Sequence, residues 1–174
     1  MRLKMEWFVF IHVFVSVLFA VSSAAKLSKL SSFKDTLRQL RITPLWAKNA
    51  VVAIPLLELA VCVLLLFPMT YRYGAVLALL LLSSFAGTAW RAKGRMVTYQ
   101  WFGGLLSEKF GMALHTRHFI LFLMSAYLLI TPFSTKLASA SFIEVSAVVF
   151  SSLGIVAIYA LDLTLRQYHM LYQE

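Results

Sequence analysis

Residues 45–67 read LWAKNAVVAIPLLELAVCVLLLF, an apolar run long enough to cross a bilayer as one helix. Two residues interrupt this run. Pro55 has no backbone N–H and therefore bends a helix, and Glu58 follows one turn later, near the middle of the membrane. A charged carboxylate at that depth costs at least ~2.5 kcal/mol. We therefore expect Glu58 to be protonated, paired with another group or directed into a polar cavity.

Glu58 is the most informative ionisable residue in the chain, and two interpretations of it stay open. It is either a proton or ligand site, or it makes a structural hydrogen bond to a neighbouring helix. In the second case the candidate partners lie in a segment of small residues predicted to pack closely against another helix: Ser83, Ser84 and Thr88. His12 raises the same question in the first apolar run. There we favour a neutral histidine hydrogen-bonded between helices over a proton relay.

The composition indicates that lipid surrounds most of the chain. Of 174 residues, 61% are hydrophobic and only 13% are charged, so a soluble domain of this length would expose a large apolar surface. Four further apolar runs lie at about residues 7–25, 73–90, 118–131 and 142–165. The first could be a cleaved signal peptide, but the basic segment behind it favours a retained helix. The sequence therefore predicts an all-α fold, a polytopic membrane helix bundle of four to five transmembrane helices in one domain, residues 1–174.

The segment between the first two apolar runs, residues 26–43, predicts a short amphipathic helix. Apolar side chains recur there at helical spacing, at Leu27, Leu30, Phe33, Leu37 and Leu40, against several basic residues. A basic amphipathic helix of this kind is typical of the headgroup region of a membrane.

The charge distribution also points to lipid. The net charge is +9, which in a soluble protein would suggest nucleic acid, but here Lys and Arg gather at the ends of the apolar runs. We expect Lys26, Lys29, Arg91 and Arg95 to lie at the interface and contact anionic headgroups. The expected partner is therefore the lipid bilayer, and no nucleic acid is expected. The positive-inside rule puts the N-terminus outside the cytoplasm.

The loop after the third apolar run, residues 91–104, reads RAKGRMVTYQWFGG. Three basic residues precede bulky aromatics and paired glycines, a combination that favours a tight, partly apolar turn. A distinctive site, if the protein has one, is expected on this loop. The aromatics Tyr99, Trp101 and Phe102 equally fit a belt at the membrane interface.

Conventional catalytic motifs are absent from the sequence. The glycines at 103 and 104 lack the spacing and the Lys-Ser/Thr of a phosphate loop. His115 and His118 stand three apart without a third ligand, so no metal site and no cofactor are expected. Cys62 is the single cysteine, which excludes an intramolecular disulfide.

Four features together resemble one known family. The first helix ends Ser23-Ala-Ala-Lys26-Leu27, a basic amphipathic segment follows, the second helix carries Pro55-Leu-Leu-Glu58-Leu59, and the third leads through Arg-Ala-Lys-Gly-Arg into an aromatic-Phe-Gly motif. In this order and spacing the chain resembles the methylamine utilisation MauE proteins, a branch of the DoxX-like, redox-associated membrane proteins. The resemblance covers about residues 8–126.

The resemblance implies a function and also a departure from it. The family loop typically reads Cys-x-Cys-Phe-Gly, whereas here Tyr99 and Trp101 stand at the thiol positions and only Phe102 and Gly103 match. The implied role is that of a non-enzymatic accessory protein in methylamine metabolism, acting in maturation, processing or export of methylamine dehydrogenase or a related redox partner, without its own dithiol chemistry.

The resemblance further implies a multi-pass protein of the bacterial inner membrane and a thioredoxin-like or dehydrogenase-maturation partner. Two alternatives stay open. One is a quinone-linked, DoxX-like redox subunit, and the other is a small proton-coupled transporter using Glu58.

Overall fold

The computed structural model describes residues 2–40, 44–91, 98–99, 108–109, 112–132 and 142–171. These residues form six helices: α1 Arg2–Ser28, α2 Leu30–Gln39, α3 Pro44–Leu66, α4 Tyr71–Arg91, α5 Met112–Ile130 and α6 Phe142–Leu171. Two short strands between α4 and α5 pair antiparallel: β1 Thr98–Tyr99 and β2 Glu108–Lys109. The prediction of an all-α membrane helix bundle is confirmed.

Several of these helices have the length and composition of membrane spans. Among the described residues, three segments are long and apolar enough to cross a bilayer: Trp7–Ser28, Ala47–Leu66 and Val145–Asp162. Thr116–Ile130 in α5 is a shorter apolar helix. The 21 residues of α4 reach about 30 Å at 1.5 Å per residue, the thickness of the hydrocarbon layer. The protein is thus embedded in a membrane.

Four of the helices form a closed ring. α1 packs against α3, α3 against α4, α4 against α5, and α5 returns to α1, while α6 packs against α1. The centre of the ring is apolar, and its buried side chains are Phe8, Val15, Leu18, Phe19, Val61, Leu65, Ala75, Ala78, Leu81, Leu82, Leu121 and Leu128. In the membrane such packing depends on close contact between helices rather than on exclusion of water.

α3 and α4 approach each other closely at Gly74. A Cβ at this position would stand 3.0 Å from the backbone nitrogen of Leu65, which is tighter than ordinary van der Waals contact. The sequence places the small-residue packing face later in α4, but Ser83 and Ser84 are exposed. Ser84 and Thr88 line a small cavity with residues of α2 and with Ile54 of α3.

α2 folds back along α3 after a single non-helical residue. Lys29 has φ −136° and ψ 59°, which ends α1 and starts α2. Side chains from α2 and α3 form a second small core: Phe33, Leu37, Ala47 and Val51. The predicted amphipathic helix is present, although it begins later than expected because α1 continues through Ser28. Its apolar side covers α3, and its basic residues Lys34 and Arg38 are exposed.

Candidate functional site

The most unusual feature of the bundle is an ion pair buried between α1 and α3. Lys26 Nζ lies 2.5 Å from Glu58 Oε1, and the two side chains are only 1% and 2% exposed. Ser22 completes the arrangement, because its Oγ accepts a hydrogen bond from Lys26 Nζ at 2.6 Å and donates one to Glu58 Oε2 at 3.2 Å. Both carboxylate oxygens therefore have a donor.

The geometry of α1 explains how a lysine near the end of a helix reaches this depth. Ser22 and Lys26 are four residues apart and therefore share one face of α1. Long side chains on a helix point back toward its N-terminus, so the Lys26 stem runs about one turn along α1 to the level of Ser22. The ammonium consequently lies deeper in the bundle than the Lys26 backbone.

Aromatic rings cover the ammonium on two further sides. Lys26 Nζ lies 5.7 Å from the ring centroid of Phe33 on α2 and 5.4 Å from that of Phe85 on α4. A cation at this distance from the face of an aromatic ring is attracted by the ring quadrupole. Four helices thus contribute to one ammonium site, with a carboxylate, a hydroxyl and two rings.

A second contact joins the same two helices one turn away. Ser23 Oγ donates a hydrogen bond to the carbonyl oxygen of Pro55 at 2.8 Å, and both residues are buried. Ser23 and Lys26 are three apart on α1, as Pro55 and Glu58 are on α3. The segment 23–27 of α1 and the segment 55–59 of α3, which the sequence analysis singled out separately, therefore contact each other.

A small cavity adjoins the carboxylate inside the ring of helices. Its volume is about 20 Å³, enough for about one water molecule. Most of its lining is apolar, and the lining side chains are Leu18, Phe19, Ser22, Glu58, Leu82, Phe85, His118 and Leu121. Ser22, Glu58 and Phe85 belong to both the ammonium site and the cavity wall.

Comparison with protein-family models assigns the chain to a family. A family model described as methylamine utilisation protein MauE matches residues 5–107, more than half of the chain. The chain belongs to the MauE family. No curated protein and no solved structure matches it. The matched region of this MauE-family protein contains most of α1 and all of α2 to α4, and therefore both halves of the ion pair. The resemblance inferred from the sequence is confirmed.

One expectation about the ion pair is wrong. Lys26 was expected at the interface, but its side chain is buried, because it runs back along α1 instead of out to the headgroups. Glu58 is paired with another group, one of the environments expected for it, and its hydrogen-bond partners Ser22 and Lys26 lie on α1, whereas the example partners suggested from the sequence lie on α4. Sequence alone does not reveal how α3 is rotated about its axis, and that rotation selects the partner.

His12 makes a hydrogen bond between helices at the other end of the ring. It is buried, and its Nε2 lies 2.5 Å from the carbonyl oxygen of Leu65 on α3. A carbonyl only accepts, so Nε2 carries the proton. Nearby, the Tyr71 hydroxyl donates to the carbonyl oxygen of Thr131 at 3.1 Å and joins α4 to the end of α5. His12 thus belongs to a separate contact, some distance along α1 from Lys26.

Of the remaining predicted site residues, only the side chain of Lys29 is described. Lys29 is exposed, as an interfacial residue would be. Tyr99 lies in β1 and Arg91 is the last residue of α4, but their side chains are not among those described. Arg95, Trp101, Phe102 and Gly103 lie outside the described residues. Within the described part of the chain, no three His, Cys, Asp or Glu side chains are grouped to hold a metal ion.

Proposed function

We propose that this MauE-family protein is a non-catalytic accessory protein of the bacterial inner membrane. It would support the maturation, processing or export of methylamine dehydrogenase or a related redox partner. The family supplies the link to methylamine utilisation. The Lys26–Glu58 pair is the main support for a non-catalytic role, since its charged groups are bonded to each other and to Ser22. Such an arrangement fixes the packing of α1 on α3.

The thiol content of the chain supports a binding role over an exchange role. Disulfide exchange by a dithiol proceeds through a mixed disulfide that a second thiol resolves. This chain has one cysteine, Cys62, on α3. Where the family motif is expected to carry thiols, Tyr99 and Trp101 stand instead. We therefore infer that the partner, for instance a thioredoxin-like protein, supplies any redox chemistry.

The loop around Trp101 is the proposed contact with that partner. Large aromatics beside a basic rim, here Arg91 to Arg95, are typical anchors of protein interfaces. A photo-crosslinking residue at position 101 in intact membranes, followed by mass spectrometry, tests this contact. The same residue at Trp90, which is 78% exposed at the end of α4, is the matched control.

The crosslinking outcomes separate docking from simple membrane contact. Capture of a dehydrogenase subunit, a secretion component or a thioredoxin-like protein from position 101 but not from position 90 supports the proposal. Trp101→Ala should then abolish the association while the protein remains inserted. Capture of lipid alone from both positions would mean that the aromatics form an interfacial belt, and the docking role would be dropped.

A proton-coupled carrier using Glu58 is a second candidate, because a cavity adjoins the carboxylate and His118 lies in its wall. Proton-dependent uptake that survives Glu58→Gln would eliminate this candidate. The quinone-linked alternative is less well supported, since a cavity of about 20 Å³ has no room for an aromatic ring. Quinone absorbance in the purified protein would favour the quinone-linked alternative over the proton-coupled carrier.

A further inference from the structure

The surroundings of the Lys26 ammonium have the chemistry that recognises a free amine. A carboxylate and a hydroxyl accept hydrogen bonds from it at 2.5 and 2.6 Å, and the rings of Phe33 and Phe85 cover it. Charge-assisted hydrogen bonds and aromatic faces are the two devices by which proteins bind ammonium groups. Lys26 itself carries a primary ammonium on a butyl stem, so it fills the site as a tethered alkylammonium.

We propose that the protein binds a small primary alkylammonium ion, such as methylammonium, at this site, and that Lys26 is a displaceable internal ligand. The free ion takes the place of the Lys26 ammonium between Glu58 and Ser22. One monovalent cation replaces another, so the carboxylate of Glu58 is never left buried without a counter-charge, a state that is strongly unfavourable. The inference does not depend on the accessory role proposed above.

The position of Lys26 allows this exchange. α1 ends two residues later at Ser28, and Leu27, Ser28 and Lys29 are all exposed. A lysine within one turn of the interface can extend its flexible stem and place its ammonium among the headgroups. The same break at Lys29 that starts α2 also sets the position of Phe33 over the ammonium. The ammonium of Lys26 can therefore lie either in the buried site or among the lipid headgroups.

The space beside the Glu58 carboxylate limits the size of the ligand that can bind. The cavity shares Ser22, Glu58 and Phe85 with the ammonium site and is otherwise mostly apolar, which suits an alkyl group. Withdrawal of the Lys26 stem adds the volume of four methylene groups. Unbranched ions from methylammonium to butylammonium should therefore fit. Tetramethylammonium has no N–H donor for Glu58 or Ser22 and should bind much more weakly.

Direct binding to the purified full-length protein tests the proposal. Equilibrium dialysis with radiolabelled methylammonium, at neutral pH and with potassium chloride holding the ionic strength constant, should show saturable binding to the wild type. Lys26→Ala should bind about tenfold or more tightly, because a tethered competitor acts at an effective concentration of about millimolar or higher. Glu58→Gln should abolish binding. Arg38→Ala, which removes an exposed basic residue on α2, is the matched control and should change nothing.

Several results would overturn the proposal. Absence of saturable binding to the wild type would do so even if Lys26→Ala bound the ion, since Lys26 would then be a fixed structural group. Binding that persists in Glu58→Gln, or competition by tetramethylammonium as strong as by ethylammonium, would also do so. If Lys26→Ala or Glu58→Gln does not fold, competition at the wild-type protein still decides the matter: unlabelled ethylammonium should displace the radiolabelled ion and tetramethylammonium should not, and the Trp101 crosslink remains independent of it.

Discussion

Removal of one member of the Lys26–Glu58 pair should destabilise the protein far more than removal of both. Each charge is almost completely buried, and their contact is 2.5 Å. With an effective dielectric constant of about 20 and charge centres about 4 Å apart, the attraction is about 4 kcal/mol. Loss of one partner from a buried pair typically costs about 3–5 kcal/mol because the other charge is left uncompensated. We expect that loss for Lys26→Met and for Glu58→Met.

The double variant Lys26→Met/Glu58→Met distinguishes the attraction between the two charges from the free-energy cost of burying them. Two apolar side chains of similar volume fill the same space without charges, and such replacements are typically neutral or stabilising. The double variant should therefore lie within about 1 kcal/mol of the wild type or above it. The assay is equilibrium unfolding in mixed detergent micelles, followed by circular dichroism, for the wild type, both single variants and the double variant.

An exposed ion pair on α2 provides the control. Arg38 Nη1 and Asp35 Oδ1 are 3.5 Å apart, and both side chains are more than 60% exposed. Arg38→Ala should cost no more than about 1 kcal/mol, as exposed pairs usually do. The reasoning would be refuted if the loss in the double Met variant equalled the sum of the losses in the two single variants, because the charges would then not be coupled.

Two further predictions concern the helix contacts. Gly74→Ala should destabilise the protein by about 1–3 kcal/mol, as overpacking does, because the added methyl group meets the backbone of Leu65. Gly87→Ala is the control on the same helix and should be nearly neutral, since a Cβ there meets nothing within 4 Å. Equal melting temperatures for the two variants would contradict the close approach at position 74. His12→Phe keeps an aromatic ring but removes the donor to Leu65, and it should cost about 0.6 kcal/mol, the average for hydrogen bonds between membrane helices, and no more than about 1.7 kcal/mol. An unfolding free energy equal to that of the wild type would mean that this bond contributes nothing.

The sequence was sufficient to predict that the apolar runs form helices, because such runs leave few alternatives in a membrane, although α5 begins at Met112, within the segment predicted as a loop. It also identified Glu58, since a carboxylate in the middle of such a run needs a special environment. Residues 45–67 were predicted as a span, and α3 covers Pro44–Leu66. These features depend on local composition, which the sequence displays directly.

The partner of Glu58 was missed because the contact is between helices. Lys26 follows an apolar run, so composition alone indicates a residue at the interface. The spacing of α1 carries a signal that would have corrected this. Polar residues recur in this apolar run at helical intervals of four, seven and three, at His12, Ser16, Ser23 and Lys26, and all four are buried. A stripe of this kind marks the side of a helix that faces its neighbours, and Lys26 belongs to it.

The separation of 32 positions between Lys26 and Glu58 along the chain has a consequence for biosynthesis. α1 leaves the ribosome first, and at that stage its lysine has no carboxylate to accompany it into the lipid, where an unpaired ammonium is costly. The ammonium should therefore wait at the water surface until α3 enters, and a nascent chain stalled before residue 58 should keep Lys26 reactive toward amine-modifying reagents. Complete insertion of α1 into the bilayer is then coupled to the insertion of α3, and the two helices insert together as a hairpin.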